Sequence, residues 1–423
     1  MSRARLWRDL CYGLLGLPLA MAALPIYVQI PAYYSNQLGL ALGLTGWILF
    51  LARLVDTFQD PLLGAWIDRL HGHIGLWFWC GVVMLSLAFF GLWLPPVASG
   101  NTLGLSLWLA LMLIVAYTAH SMLSIAYLTW GARIEADAGK RDHSLLGVAA
   151  WREGAGLLGV IVASVLPSWI MTQAVTHLHA DLARYSLGFA SMLFIAVWVL
   201  LRFAPKWVHP KRSEVAPRLR AIWHVMKAHP GFRRLLIPYG LNAISVAIPS
   251  TLALFFINDR LQAPTHTGTF LASYFIAAAM GLPFWVRAAK QWGVLRAWRW
   301  GMVLAMLAFC SAAWLGAGDI MAYHIVCVAA GCALGADLAL PPVLLGKLIH
   351  QESTPASFFA VWTLLGKLAL AFSGLALPAL AALDYQPGSP AGPALAWVYA
   401  GVPCAFKLMA FLLLSRIPPN PQE

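Results

Sequence analysis

Three charged residues and an amide lie within an apolar segment, 42–67, that is long enough to cross a membrane. They are Arg53, Asp56, Gln59 and Asp60, and at about 100° per residue they share one face of a helix. A charge near the middle of a membrane helix costs about 2.5–3.5 kcal/mol, so such residues usually face a water-lined cavity or a partner. Carboxylate and amide oxygens are hard ligands. The sequence therefore predicts a site for a small cation on this face.

A purely structural role for this face is the alternative. Arg53 would then neutralise one aspartate in a salt bridge between helices, and the second carboxylate would be left over. Two carboxylates one helical turn apart cannot both ionise cheaply without a cation or a basic partner nearby. We therefore expect the two aspartates to titrate as a coupled pair.

The composition of the chain indicates which elements position these residues. Hydrophobic residues make up 61% of the 423 residues and charged residues only 10%, against about 25% in a soluble domain. This composition predicts an all-α polytopic membrane protein. The positive residues behind the net charge of +12 lie mostly in loops, so no nucleic-acid partner is predicted. The six cysteines show no spacing typical of a metal site or of a disulfide framework.

The apolar segments are long enough for about twelve transmembrane helices. The first segment is interpreted as a retained span rather than a cleaved signal peptide, because its apolar run continues to about Tyr34. Pro18, Pro25 and Pro31 predict that this span is kinked. The predicted spans cover residues 10–34, 43–67, 76–97, 104–130, 145–173, 184–204, 235–258, 267–287, 298–316, 320–346, 357–383 and 393–415.

Lysine and arginine residues are distributed unequally between the predicted loops. Of the 28 in the chain, 20 lie in the two termini and the loops on one side, whereas only Arg184 and Arg260 lie in the opposite loops. Because basic loops stay on the cytoplasmic side, both termini are predicted to be cytoplasmic. The expected location is the inner (plasma) membrane of the cell.

The longest basic loop divides the spans into two sets of six. The predicted domains are 1–204, a six-helix bundle with the cation site, 205–234, a cytoplasmic linker, and 235–423, a second six-helix bundle. In the linker, apolar residues recur at helical spacing beside basic ones, which predicts an amphipathic helix on the anionic inner leaflet. Two sets of six spans are the pattern of major facilitator transporters. The apolar positions of the linker helix are Val215, Leu219, Ile222 and Met226.

The stretch from Arg53 to Gly64, RLVDTFQDPLLG, with Tyr12 and Gly13 upstream, resembles the second-span signature of the glycoside–pentoside–hexuronide:cation symporters. These are the melibiose-permease relatives within the major facilitator superfamily. The residues Gly64, Asp68 and Arg69 resemble the superfamily's conformational-gate motif between spans two and three. The resemblance extends over the whole chain, and it implies cation-coupled alternating access between two six-helix bundles.

The resemblance also implies a set of cation ligands. In the family the two aspartates of span two bind the coupling cation, which implies that role for Asp56 and Asp60. Gln59 and the span-four hydroxyl of Ser121 are then the other oxygen ligands. The implied coupling ion is sodium or a proton, and no cofactor and no resident metal are predicted. A set of oxygen ligands without a soft ligand suits such a cation.

Other charged residues match the family's intramembrane charges. Lys367 in span eleven aligns with the family's membrane-embedded lysine, and Arg152 aligns with its fifth-span arginine. A local ion pair between Arg152 and Glu153 is an equal alternative. Asp337 is an acid within span ten near a predicted helix break, and it is expected to pair with Lys367, with Lys347 or with neither. Arg53, Lys367, Arg152 and Asp337 form the predicted coupling network.

The chain departs from the sugar-transporting members at the substrate site. Those members carry acidic residues where this chain has Ala20 in span one and Ser124 in span four. A polar ligand needs several convergent hydrogen-bonding groups, so these replacements disfavour a sugar. The first span, with Gly16-Leu17-Pro18, is closer to the family's sodium-dependent lysophospholipid transporters, which favours an amphiphilic, lipid-like substrate over a sugar. The candidate substrate-binding residues are Ser124, Tyr127, Asn242, Trp362 and Thr363.

Two functions of other classes are alternatives to transport: a membrane-embedded lipid-modifying enzyme and a non-transporting sensor. The sequence contains no HExxH, GxSxG or P-loop pattern and no cluster of acids suited to two metal ions, so no enzymatic activity is predicted. The expected partners are a small-molecule or lipid-like substrate and membrane lipids. The protein is expected to be a monomer.

Overall fold

The computed structural model describes residues 3–69, 73–97, 100–137, 145–171, 175–204, 230–348, 355–388 and 392–416. Twelve long helical stretches make up most of this part of the chain. None of these residues belongs to a β-strand. In chain order the stretches are α1 (Arg3–Gly13, Gly16–Leu24, Pro25–Gln29, Ile30–Ala32 and Tyr33–Gln37 in succession), α2 (Leu42–Arg69), α3 (Ile74–Trp93), α4 (Thr102–Asp137), α5 (Leu145–Met171), α6 (Val175–Phe203), α7 (Pro230–Phe255, continued by Phe256–Arg260), α8 (Thr267–Trp292), α9 (Val294–Ala312), α10 (Ile320–Leu348), α11 (Pro355–Ser373, then Ala376–Ala381) and α12 (Pro393–Ala396, Trp397–Gly401 and Val402–Ser415).

The hydropathy of these helices agrees with a membrane protein. Within the described residues, eleven helices are long and apolar enough to cross a bilayer. The remaining long helix is α2, whose 28 residues would also reach across, but it carries the charged face around Asp56. Each predicted span coincides with one of the twelve helices, so the predicted all-α polytopic fold is confirmed.

Helix α1 is interrupted where its prolines predict a kink. Its α-helical turns give way to a π-helical turn over Pro25–Gln29 and to a second one over Tyr33–Gln37. A proline has no N–H to donate and its ring crowds the preceding turn, so the local hydrogen-bond register changes there. Gln29 is fully buried, and its Nε2 donates to the carbonyl oxygen of Ala163 on α5 at 2.9 Å.

The helices divide into two compact units. The first contains residues 1–30 and 52–216, and the second contains residues 31–51 and 217–423. This division falls within the predicted linker, but it places the end of α1 and the beginning of α2 in the second unit. Helix α2 therefore begins in the second unit, and its charged face lies in the first.

In the first unit, glycines allow α1 and α5 to approach closely. A Cβ atom on Gly159 would overlap the carbonyl oxygen of Leu17, and one on Gly16 would lie 2.6 Å from that of Arg152. Small residues at such contacts let the backbones of membrane helices pack directly against each other. The close approach places the backbone of Arg152 beside Gly16 of α1.

We expect Gly159→Ala to destabilise the first unit by about 1–3 kcal/mol, because the added methyl group must push α5 away from the Leu17 carbonyl. Thermal unfolding of purified protein in detergent will show the loss as a lower Tm. Gly188→Ala is the matched control, since Gly188 is also inside a long helix but has no neighbouring atom within 4 Å of an added Cβ. Equal Tm values for the two variants would contradict the assigned contact.

The second unit has a large apolar core at the level of Trp285 and Trp298. Helices α7 to α12 all contribute buried side chains to it. The beginning of α2 joins this unit through α11: a Cβ on Gly46 would overlap the ring of Pro378, and the rings of Phe50 and Phe372 are 5.7 Å apart. The core includes Phe232, Leu235, Trp285, Trp298, Met302, Leu344, Trp362 and Leu414. The predicted amphipathic helix of the linker lies outside the described residues.

Candidate cation site

Helix α2 places its charged face within the first unit. Arg53 and Asp56 are buried, with 2% and 6% of their surface exposed, and Gln59 and Asp60 lie beside them on the next turn. An unbroken α-helix over these positions gives the shared face that the spacing predicts. Pro61 lies inside the same helix directly after Asp60.

The Asp56 carboxylate is the centre of a hydrogen-bond chain between α2 and α4. Its Oδ1 accepts from Ser121 Oγ at 2.8 Å and from Gln59 Nε2 at 3.1 Å. On the other side of the amide, Thr118 Oγ1 donates to Gln59 Oε1 at 2.8 Å. The predicted ligands Asp56, Gln59 and Ser121 are therefore together in the structure.

Thr118 belongs to this chain of hydrogen bonds but was not among the predicted site residues. It lies one turn before Ser121, so both hydroxyls point from the same face of α4. The i,i+3 pair of hydroxyl residues was the signal that could have identified it. Its hydroxyl is also 2.7 Å from the carbonyl oxygen of Ile114 in its own helix.

The guanidinium of Arg53 forms hydrogen bonds with α1 and α4. Its Nε donates to the hydroxyl of Tyr117 at 3.4 Å and its Nη2 donates to the carbonyl oxygen of Tyr27 at 3.3 Å. The guanidinium carbon also lies 5.3 Å from the centre of the Tyr27 ring, within the range of a cation–π contact. The Tyr27 and Tyr117 rings stack 5.7 Å apart, so the arginine is held by an aromatic pair.

These groups provide an oxygen-rich site. The carboxylate of Asp56, the amide oxygen of Gln59 and the hydroxyls of Thr118 and Ser121 are all hard ligands, which suit an alkali cation better than a transition metal. Asp60 lies one turn further along α2, and its role as a ligand stays a prediction. The Ser121 hydroxyl and the Gln59 amide occupy hydrogen-bond positions on Asp56 Oδ1 that a bound cation would compete for. A bound cation would require Ser121 to turn its hydrogen away and offer the oxygen lone pair instead.

The residues predicted to replace the acids of a sugar site lie beside a histidine. His120 Nε2 is 3.2 Å from the carbonyl oxygen of Leu19, the residue before Ala20, and Ser124 Oγ is 3.4 Å from His120 Nδ1. Since a carbonyl can only accept, Nε2 carries a proton. This region of α1 and α4 therefore offers an imidazole and a hydroxyl instead of two carboxylates.

Tyr127 is 2% exposed and connects α1 to α4. Its hydroxyl donates to the carbonyl oxygen of Tyr12 at 2.9 Å, while the Tyr12 hydroxyl donates to the Tyr127 carbonyl at 2.9 Å. The two rings stack with centroids 4.5 Å apart. These reciprocal bonds give Tyr127 a packing role, and its predicted contact with substrate stays a prediction.

In the second unit, Asp337 forms a buried ion pair with Lys407. The lysine Nζ donates to Oδ2 of Asp337 at 2.7 Å, and the side chains of Lys407 and Asp337 are only 4% and 6% exposed. Of the partners that the sequence left open, neither Lys367 nor Lys347 holds this aspartate. Lys407 was not among the predicted partners, although a lysine in the middle of the last span was the signal for it.

Two neutral donors complete the coordination of Asp337. Asn242 Nδ2 donates to Oδ1 at 3.0 Å, and Trp298 Nε1 donates to the same oxygen at 2.9 Å. The carboxylate on α10 therefore contacts α7, α9 and α12 at once. Because both oxygens of this buried carboxylate have donors, the network fixes the positions of its members.

Three other predicted residues lie on α11 in the second unit. Trp362 is buried and stacks on Tyr239 with ring centroids 3.5 Å apart. Thr363 is exposed and Lys367, one turn further on, is half-buried. The role of Lys367 in coupling, like that of Arg152, stays a prediction.

The gate motif begins at Gly64 near the end of α2, where no atom lies within 4 Å of an added Cβ. Helix α2 continues through Asp68 and Arg69, but their side chains lie outside the described part of the chain. The motif's role in gating stays a prediction.

The chain is similar to known transporters over almost its whole length. Two curated relatives are the sodium-dependent lysophosphatidylcholine symporters 1 of Gallus gallus and Mus musculus, both 22% identical. The alignments cover 99% of this chain and 88% of the Gallus protein, and 89% of this chain and 78% of the Mus protein.

Solved structures share the fold. The nucleoside transporter NupG has a TM-score of 0.71 at 12% identity and covers 99% of this chain and 100% of its own. A bacterial homologue of the iron transporter ferroportin, in an inward-facing state, has a TM-score of 0.70 at 15% identity, with 98% and 99% coverage. At such low identity these structures show the fold alone.

The family model described as MFS/sugar transport protein matches residues 11–420. It therefore includes the charged face of α2, its hydroxyl partners on α4 and the ion pair of the second unit. The chain is accordingly a multi-pass membrane transporter that belongs to the MFS/sugar transport protein family.

Proposed function

We propose that this transporter is a cation-coupled symporter that moves a lysophospholipid across the cell membrane by alternating access. The observation that carries the proposal is the chain of oxygens around Asp56, which joins Gln59 on α2 to Thr118 and Ser121 on α4. A buried carboxylate that can exchange hydroxyl and amide donors for a bound ion is suited to reversible cation binding. Sodium is the proposed ion, with a proton as the alternative.

The region around Ala20 and Ser124 supports a lipid-like substrate. The resemblance implies acids at these two positions in sugar transporters, and this chain instead has a hydroxyl and a neighbouring imidazole there. The relatives from Gallus gallus and Mus musculus are named sodium-dependent lysophosphatidylcholine symporters, which agrees with an amphiphile rather than a sugar.

In the proposed cycle, sodium bound at Asp56 and Asp60 cancels part of their negative charge and favours the conformation that encloses the substrate. Because the two binding events are linked, each ligand must raise the affinity for the other by the same factor. Release of both to the opposite side then returns the empty protein. In this proposal both termini lie on the cytoplasmic side, as the distribution of basic residues between the loops predicts.

Purified protein in proteoliposomes tests the proposal. An imposed sodium gradient should drive labelled lysophosphatidylcholine above its equilibrium distribution, whereas equal sodium on both sides should not. A proton gradient identifies the alternative ion, and a labelled disaccharide identifies a sugar carrier. Chemical analysis of the recovered lipid excludes a lipid-modifying enzyme if the molecule is unchanged. Accumulation that is indifferent to both gradients would contradict cation coupling.

The ligand role of Ser121 gives a smaller, graded effect. We expect Ser121→Ala to raise the sodium concentration for half-maximal uptake about tenfold, since one oxygen ligand and one Asp56 partner are lost together. Ser106→Ala is the matched control: it lies on the same helix, and its hydroxyl donates to the Thr102 carbonyl at 2.6 Å. An unchanged sodium dependence in Ser121→Ala would remove this residue from the site.

A further inference from the structure

The carboxylate of Asp337 fixes the orientation of the Asn242 side-chain amide. Asn242 lies 3.0 Å from a carboxylate oxygen that already accepts from Trp298 and belongs to an ion pair with Lys407. A carboxylate in an ion pair accepts but does not donate, so the NH₂ end of the amide must face it. The amide oxygen therefore points away from Asp337, and the reverse orientation would bring two acceptors together.

In this orientation the side-chain oxygen of Asn242, Oδ1, is a buried hydrogen-bond acceptor. Asn242 is 3% exposed, and no donor in the described part of the protein lies within hydrogen-bonding distance of its Oδ1. A buried acceptor left without a donor is costly, so native structures rarely retain one without a reason. The main-chain oxygen of the same residue is occupied, because it accepts from Ser245 Oγ at 2.7 Å.

The charges around Asn242 limit the kind of donor that fits. Asp337 and Lys407 form a neutral pair, so this site has no net charge to attract a second cation or an anion. One turn earlier on α7, Tyr239 stacks against the buried Trp362, so the packing next to Asn242 is aromatic. A neutral hydroxyl attached to an amphiphile matches both features.

We propose that Asn242 Oδ1 accepts a hydrogen bond from the free glycerol hydroxyl of a lysophospholipid, an inference that rests on the proposed function. In lysophosphatidylcholine that hydroxyl is the molecule's only hydrogen-bond donor, since the phosphate is an ionised diester and the quaternary ammonium has no N–H. A diacyl phosphatidylcholine has no such donor. Asn242 is thus the residue that selects a monoacyl lipid, and Asp337 with Lys407 are the positioning residues that orient it.

The first test compares two ligands on the unaltered protein in proteoliposomes. One is lysophosphatidylcholine, and the other is the same acyl phosphocholine built on propanediol, with hydrogen in place of the hydroxyl. We expect the concentration for half-maximal uptake to be about tenfold lower for the lipid with the hydroxyl, because its analogue leaves the acceptor unpaired. Equal values for the two lipids would overturn the inference.

Two variants test whether Asn242 causes the preference for the lipid with the hydroxyl. Asn242→Leu keeps the size of the side chain but removes the acceptor, and it should bring the two lipids to within about twofold of each other. Gln29→Met is the matched control, since Gln29 is a fully buried amide of the first unit whose Oε1 likewise has no donor among the described residues. It should keep the ratio of the unaltered protein. A ratio that survives in Asn242→Leu would overturn the assignment.

The outcomes separate this inference from the proposed function. If the unaltered protein takes up both lipids equally in response to sodium, the symporter proposal stands and only the role of Asn242 fails. If it takes up neither lipid under any gradient, the proposed substrate is wrong and the hydroxyl contact fails with it. The ligand comparison needs no substitution, so poor folding of Asn242→Leu would not block the decision.

Discussion

Asp56→Asn will reduce sodium-driven accumulation of lysophosphatidylcholine to the level of protein-free liposomes. Asparagine keeps the size of the side chain and its Oδ1 can still accept from Ser121, so the helix contact survives. The negative charge is lost, and with it the main electrostatic attraction for a cation in a low-dielectric site. Because sodium no longer binds, its gradient no longer does work on the substrate.

The measurement is uptake against time in proteoliposomes with an inward sodium gradient, together with Tm in detergent. Asp319→Asn is the matched control: Asp319 is exposed between α9 and α10, where its Oδ2 accepts from the Gly316 N–H at 2.8 Å. That variant should accumulate substrate normally. If Asp56→Asn also accumulates normally, Asp56 is not the cation ligand. A large fall in Tm would instead favour a salt bridge with Arg53 that holds the helices together.

The charged face of α2 shows how far the sequence alone could reach. Its spacing within a single unbroken helix determines that Arg53, Asp56, Gln59 and Asp60 share one side, whatever the neighbours are. The high cost of charge in a membrane then points to that side as functional. Helix number and approximate bounds were accessible for a similar reason, since hydropathy and length decide them locally.

The partners of that face were less accessible, because they depend on which helices meet. The pairing of Ser121 with Asp56 came only through family resemblance. Thr118 was missed because a hydroxyl costs little in a membrane helix, so its i,i+3 spacing from Ser121 is only a weak signal. Lys407 was missed as the partner of Asp337 because several lysines compete for the same acid until the packing is known. The placement of residues 31–51 in the second unit also depends on packing that no local pattern encodes.

The ion pair between Asp337 and Lys407 should make single and double substitutions behave in opposite ways. Lys407→Met leaves a buried carboxylate with only the Asn242 and Trp298 donors, and we expect it to cost about 3–5 kcal/mol of unfolding free energy. Asp337→Asn leaves a buried ammonium and should cost a similar amount. The double variant removes both charges together, so its stability should return to within about 1 kcal/mol of the unaltered protein.

Unfolding by a denaturing detergent, followed by tryptophan fluorescence, measures these differences. Lys290→Met is the matched control, because Lys290 lies exposed in the last turn of α8 and should change stability by no more than about 0.5 kcal/mol. A double variant as unstable as either single variant would show that the charges do not act as a pair. If Asp337→Asn instead keeps its stability but loses sodium-driven accumulation, the aspartate belongs to the coupling machinery. If the double variant instead recovers its stability, the pair is a structural anchor that orients Asn242 and takes no part in cation exchange. The charged face of α2 then remains the proposed binding place of the coupling ion.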